Sequence, residues 1–236
     1  MNIAVLVPFY NEENNLIFFI KEWEKFLYKK KELKNRLFFF FIDDGSTDQS
    51  VKSIYLNAKK LKFKIFKKKN SGHGDSCKFG YNLIINNYKK FDFILQIDSD
   101  NQCNPKYIVS FYNLLKKHNY NFIFGHRNKR EDGLWRYLSS KIMSLIFFLK
   151  KFVYIKDLNT PYRIMKINNL KEILSNININ SRYKDIKLYN CVLSWEIQKK
   201  YTIHWVKINF RKRYYGGSKF NLIKMLAMFL NFIIKI

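Results

Sequence analysis

Three short polar segments carry residue types that could do chemistry. Asp98-Ser99-Asp100 places two carboxylates one residue apart, and Gln102 adds a neutral oxygen two residues further on. Carboxylates at that spacing can turn toward one hard divalent cation, Mg²⁺ or Mn²⁺, which takes oxygen ligands and shares them with a diphosphate. Taken alone, the triplet reads equally well as a solvated acidic turn. Asp43-Asp44-Gly45-Ser46-Thr47-Asp48 sets adjacent acids before a glycine turn. Ser46, Thr47 or Asp48 fits as the cap of a following helix, which leaves Asp43 where the base or ribose of a nucleoside would be gripped. Asn70-Ser71-Gly72-His73-Gly74 puts a glycine turn ahead of a helical segment, so that free amides can face an anion; a flexible loop is the plainer alternative. A dinucleotide fingerprint would need a glycine at position 77, where Cys77 stands.

What positions these segments is a regular alternation over the first half of the chain. Apolar runs at 3–7, 37–42, 63–66, 91–97 and 121–125 are short and bounded by polar residues, as buried strands are. Stretches near 14–31, 48–61, 76–88 and 105–118 have helical spacing. The alternation predicts an α/β fold with a mostly parallel central sheet flanked by helices. Ligands bind outside the carboxyl ends of such strands. Pro8-Phe9-Tyr10-Asn11-Glu12 follows the first run, the Asp43 segment the second and the Asp98 segment the fourth, so all three converge on one sheet edge. Beyond residue 126 the pattern changes: a basic stretch, Arg127 to Arg136, precedes an apolar segment, Ile142 to Ile155, that is assigned to the core.

Composition narrows the classes without deciding among them. The formal net charge of +26 points to nucleic acid, an anionic membrane surface or an acidic small molecule, or reflects a coding bias toward Lys. A nucleic-acid-binding protein would leave unexplained why its few acids cluster at strand ends, so no nucleic acid is expected as a partner. Cysteines 77, 103 and 191 are odd in number and widely spaced, which fits a reducing compartment and neither a disulfide framework nor a zinc site. The histidines at 73, 118, 126 and 204 lack metal-ligand spacing; His118 and His204 read as structural, and His126 stays open. No signal peptide and no uncharged apolar run of membrane-spanning length is read.

The segments Val7-Pro8-Phe9-Tyr10-Asn11-Glu12, Asp43 to Asp48, Asn70 to Gly74 and Asp98 to Pro105 occur in that order. Together they resemble the family 2 inverting glycosyltransferases of the GT-A fold, and most closely the polyprenyl-phosphate (dolichol-phosphate-mannose-synthase-like) branch, over roughly residues 2–220. The resemblance implies a nucleotide-sugar donor, UDP- or GDP-linked, held by Pro8, Tyr10, Glu12, Asp43, Asp44 and Gly72. It implies a metal bound by Asp98, Asp100 and Gln102. Gly125-His126-Arg127 resembles the family's Gly-Ser-Arg, which puts Arg127 near the phosphates. Asp157 to Arg163 resembles its Asp-x-x-Thr-Gly-Phe-Arg, with Pro161 in place of the glycine, and Glu196 stands at a recurrent late glutamate. Arg211 to Lys219 resembles its basic Arg…Gly-x-Ser-Lys ending.

In-line displacement at an anomeric carbon builds negative charge on the leaving diphosphate, which a cation and Arg127, Arg211 or Lys219 would stabilise. A saccharide acceptor needs a general base, for which Asp157 and Glu196 are the candidates, whereas a polyprenyl phosphate is already an anionic nucleophile. From Asn221 to Lys235 the polar positions fall on one narrow helical stripe. A helix of that length spans about 22 Å, short of the roughly 30 Å hydrocarbon core. Residues 221–236 therefore read as an amphipathic helix in the membrane interface, appended to a transferase domain at 1–220, with a core helix as the alternative. The enzyme is expected to be cytoplasmic, peripheral on the cytoplasmic face of the membrane.

Overall fold

Strand-forming sequence here is Phe-, Ile- and Val-rich and mostly uninterrupted by charge, as strands buried on both faces are. The structure, a computed structural model, describes residues 1–184, 186–216 and 222–236, with side chains from 226 onward in the last stretch. Its strands are β1 (Ile3–Phe9), β2 (Leu37–Asp43), β3 (Phe63–Lys67), β4 (Phe93–Gln96), β5 (Phe122–Arg130), β6 (Arg163–Lys166) and β7 (His204–Phe210). They form one sheet in the order β3-β2-β1-β4-β6-β5-β7. Only β6 opposes its neighbours, running antiparallel to β4 and β5, while the other pairings are parallel.

Side chains alternate across this sheet into two cores. Ile3, Val5, Val7, Phe39 and Phe41 enter the core under α1 (Glu13–Lys29), α3 (Ser50–Asn57) and α5 (Tyr107–His118). Ala4, Leu6, Phe40 and Ile42 enter the core under α4 (His73–Asn87), α6 (Leu134–Lys151), α7 (Ile167–Ile179) and α8 (Tyr189–Lys200). A short α2 (Lys31–Arg36) precedes β2, in a stretch where the sequence periodicity assigned no element beyond residue 31. His118 and His204 each stack on Tyr120, a structural use of both rings.

The first of the two late apolar segments differs from expectation. Ile142 to Ile155 is not simply core: Met143, Phe147 and Ile155 are buried, but Ile142, Leu145, Leu149 and Phe152 face outward. The physical reason is that α6 buries one side only, where Phe147 meets Trp195 of α8 and Phe232, and among the described residues its other side stays exposed. Helix α9 (Leu222–Lys235) packs one face on α6, with Phe229, Phe232 and Ile233 buried and Phe232 stacked on Phe147 at 6.0 Å. Lys150 and Lys151 of α6 donate to the Ile233 and Ile236 carbonyls at its end. Among the described residues no helix is long and apolar enough to cross a membrane.

Candidate active site

The carboxyl ends of β1, β2 and β4 meet as the parallel register requires, Phe9 standing beside Asp43 and Leu6 beside Gln96. Outside them lies a cavity of about 1120 Å³, at the upper end of what ligand sites occupy and roomy enough for two substrates. Pro8, Tyr10, Glu12, Asp44, Gly72, Asp98, Asp100, Gln102 and Arg127 all line it. Lys219 lies outside the described residues.

The acids divide by whether their oxygens are already used. Asp44 is spent on the fold: Lys68 Nζ donates to it at 2.5 Å, and the Ser71 and Gly72 amides donate at 3.0 and 2.8 Å. Burial alone would raise its pKa, but these donors hold it below the usual carboxylate value. It thereby fixes the loop that opens α4, whose first turn, His73 to Ser76, faces the cavity with the positive end of the helix. Gly45 at φ 74° makes the turn into that contact, with Asn70 N only 3.0 Å from where a Cβ would stand. Asp43 differs. It is fully buried, Oδ1 accepts from the Ser46 amide at 2.8 Å, and Oδ2 is buried with no hydrogen-bond partner. A buried carboxylate oxygen left open is costly, and a donor from a ligand would relieve it.

Asp98 and Asp100 face one another's charge. Asp98 Oδ1 is buried with no hydrogen-bond partner, and His73 Nε2 stands 3.5 Å away. Burial, and then the neighbouring Asp98, push the Asp100 carboxyl well above its ordinary value. Among the described residues no third His, Cys, Asp or Glu joins them as a closed metal site. Two crowded carboxylates with an open oxygen fit a hard cation that takes its remaining ligands from a diphosphate and water. Gln102 Nε2 donates to the Arg211 carbonyl at 2.7 Å, tying the strap after β7 across the site and leaving the side-chain oxygen out of that bond. Arg211 also pairs with Glu22 at 2.8 Å, and Arg213 pairs with Glu12. Tyr214 and Tyr215 stack on Phe18 of α1.

Arg127 is held rigidly. Its Nε and Nη2 each donate to an Asp157 oxygen at 2.7 Å, and its guanidinium lies over the Phe210 ring. Asp157 is buried, and the Arg127 guanidinium overrides that burial to keep its carboxyl below the ordinary range. Of the expected site residues, Asp43, Asp157, Arg163, Glu196 and Arg211 do not line the cavity. Arg163 is fully buried and donates to the Thr160, Asn190 and Leu158 carbonyls, so it pins the 157–163 loop from behind. Glu196 accepts from Tyr183 and Lys199 on α8, away from the cavity lining. The sequence reading missed other residues of the lining: Arg130 and Arg136, which share Asp132, and Lys184, Lys187 and Tyr189, the last two against Gly74 in the first turn of α4. The acidic pair Glu131-Asp132 within a basic run was the available signal.

The profile described as glycosyl transferase family 2 matches residues 4–189. An uncharacterised protein of Methanocaldococcus jannaschii is 28% identical over 72% of this chain and 74% of its own length. An undecaprenyl-phosphate 4-deoxy-4-formamido-L-arabinose transferase of Pectobacterium carotovorum is 25% identical over 61% of this chain, which spans 42% of that relative. Among solved structures, glucosyl-3-phosphoglycerate synthase of Mycobacterium tuberculosis, in complex with Mn²⁺, UDP and glucosyl-3-phosphoglycerate, superposes with a TM-score of 0.68 at 14% identity, covering 99% of this chain and 79% of that one. Mannosyl-3-phosphoglycerate synthase of Rubrobacter xylanophilus gives 0.64 at 13%, covering 100% and 72%. The sheet order, the acids at the ends of β1, β2 and β4, and a family match over most of the chain agree: the chain belongs to glycosyl transferase family 2 and has the GT-A fold.

Proposed function

We propose that this chain transfers a sugar, with inversion, from a UDP- or GDP-linked donor to polyprenyl phosphate. The observation that carries the donor half is the set of open acids at the strand ends. Asp43 Oδ2, buried without a partner beside the strand ends, would accept an N–H from a nucleobase, and Asp98 with Asp100, which line the cavity, would hold Mg²⁺ or Mn²⁺ against the diphosphate. That cation supplies charge stabilisation to the leaving group when bound. The chain's own contribution is the positive end of α4 and the fixed Arg127 guanidinium, both aimed at an anion in the cavity. The solved relative with Mn²⁺ and UDP supports the same use of the fold.

The acceptor half rests on which carboxylates are already engaged. Asp157 is locked to Arg127, Glu196 lies outside the cavity, and Glu12, Asp44 and Asp132 are each paired. A lipid phosphate needs no base, and Arg130, Arg136, Lys184 and Lys187 give the cavity lining positive charge to receive one. The undecaprenyl-phosphate transferases among the relatives support this choice. A saccharide acceptor is the second reading, because Asp75 also lines the cavity and could serve as its base. With Mn²⁺ and a panel of UDP and GDP sugars, purified polyprenyl phosphate should yield a lipid-linked sugar, and Asp75→Asn should retain that activity. Transfer to a free saccharide that Asp75→Asn abolishes would favour the second reading. No thermal stabilisation by any nucleotide with metal would overturn the donor half.

A further inference from the structure

Helix α6 is apolar on both sides. Ser139, Met143 and Phe147 face the core, and at helical spacing on the opposite side Leu134, Leu138, Ile142, Leu145 and Leu149 face outward. Leu149 is 63% exposed, Trp135 72%, and Phe152, just past the helix end, 84%. Helix α9, packed alongside through the Phe147–Phe232 stack, continues the surface with Leu226, Leu230 and Ile234 at the same spacing. Scattered apolar residues on a surface need no explanation, but two adjacent helices each presenting an aligned apolar stripe do.

The charges around the stripe say what covers it. From Gly133 to Lys156 the sequence contains Arg136, Lys141, Lys150, Lys151 and Lys156 and no Asp or Glu, and residues 222–236 also hold no acid. An aliphatic stripe with a Trp at one end, flanked only by cations, complements a bilayer with anionic headgroups. At 1.5 Å per residue, α6 would lie along that surface for about 27 Å. The face is also continuous with the cavity. Trp135, Arg136, Ser140 and Met143 of α6 and Met228 of α9 line it, so the cavity borders this face at the exposed Trp135.

We propose that the outer face of α6, extended by α9, docks on an anionic lipid bilayer and sets the part of the cavity wall that these helices form at the headgroup plane, where a lipid-borne phosphate acceptor can enter. The entry route rests on the lipid-phosphate reading of the acceptor; the docking itself does not. The test is flotation with vesicles of phosphatidylcholine alone or with 30% phosphatidylglycerol, using the full chain and the double variant Leu145→Glu/Leu149→Glu. Binding to the anionic vesicles is expected, with at least a tenfold loss in the variant, while nucleotide-dependent thermal stabilisation with Mn²⁺ stays unchanged and shows the variant to be folded. A milder variant, Lys141→Glu, should weaken binding several-fold and flatten its salt dependence. Equal vesicle binding by wild type and double variant would overturn the proposal. So would a wild-type dimer in sedimentation that the double variant turns to monomer without any vesicle binding, since a second copy would then cover the face. Vesicle binding without nucleotide stabilisation would instead sink the transferase reading and leave the docking surface standing.

Discussion

A carboxylate at this site is informative according to what its oxygens already hold. Asp43 and Asp44 are adjacent, yet one is saturated by Lys68, Ser71 and Gly72 while the other keeps a buried oxygen open. Replacing Asp43 by Asn keeps the shape and an acceptor for Ser46 and swaps the open oxygen for a donor. Losing one hydrogen bond to a charged group costs about 1.5–3 kcal/mol. Nucleotide affinity should therefore fall about tenfold to a hundredfold, measured by calorimetric titration with UDP and GDP in the presence of Mn²⁺. An unchanged Kd would mean that Asp43 serves only the Ser46 turn. Asp100→Asn should leave the melting temperature within a few degrees, because the side chain makes one local bond to the Gln102 amide. It should abolish the Mn²⁺-dependent part of nucleotide stabilisation and reduce turnover by about a hundredfold or more. Turnover equal to wild type would remove Asp100 from the metal site.

Among elements, the site is where α4 and the segment leading into α8 close over the strand ends. Gly74 in the first turn of α4 has no room for a side chain: a Cβ there would lie 2.8 Å from Tyr189 Cβ and 3.0 Å from the Lys187 carbonyl oxygen. Neither atom is the end of a flexible chain, so Gly74→Ala must push the 187–189 segment away from the helix. Overpacking of this kind costs about 1–3 kcal/mol, and all four residues concerned belong to or border the cavity. The expected result is a melting temperature lower by several degrees together with weakened donor binding; a variant matching wild type in both would show that the segment gives way freely. The elements before residue 126 were legible because each is a short apolar run ended by turn residues, and the ends of β1, β2 and β4 named the acids directly. The later ones were not. β5 runs on through His126, Arg127 and Lys129 into a stretch that reads as basic loop, and β6 has only four residues, with the buried Arg163 among them. Arg163 and Glu196 carried motif positions, but spacing could not tell a residue facing the ligand from one that pins the loop behind it.

At the scale of the whole molecule, the two cores are closed by helices whose partners lie far away in sequence, and this is what periodicity alone could not resolve. The wide apolar arc of residues 222–236 finds α6 to cover part of it, while α6 itself keeps an apolar face outside. The sheet is likewise joined across its late half by one buried ion pair, Arg127 of β5 with Asp157 of the loop before β6. Because the folded Asp157 holds its proton less tightly than an unfolded aspartate near pH 4, the pair's contribution is fully present above about pH 5 and is lost as pH falls through the depressed folded value. Asp157→Asn leaves the buried Arg127 uncompensated, and breaking such a pair costs about 3–5 kcal/mol. Denaturant unfolding at pH 7 should show that loss, and the gap between wild type and variant should close as pH is lowered below about 4. A gap that stays constant to pH 3 would mean that Asp157 acts through hydrogen-bond geometry and not through its charge. A variant as stable as wild type at pH 7 would mean that Arg127 reaches water once its partner is gone. Either outcome bears on function, since an Arg127 free to move cannot present a fixed charge to the diphosphate.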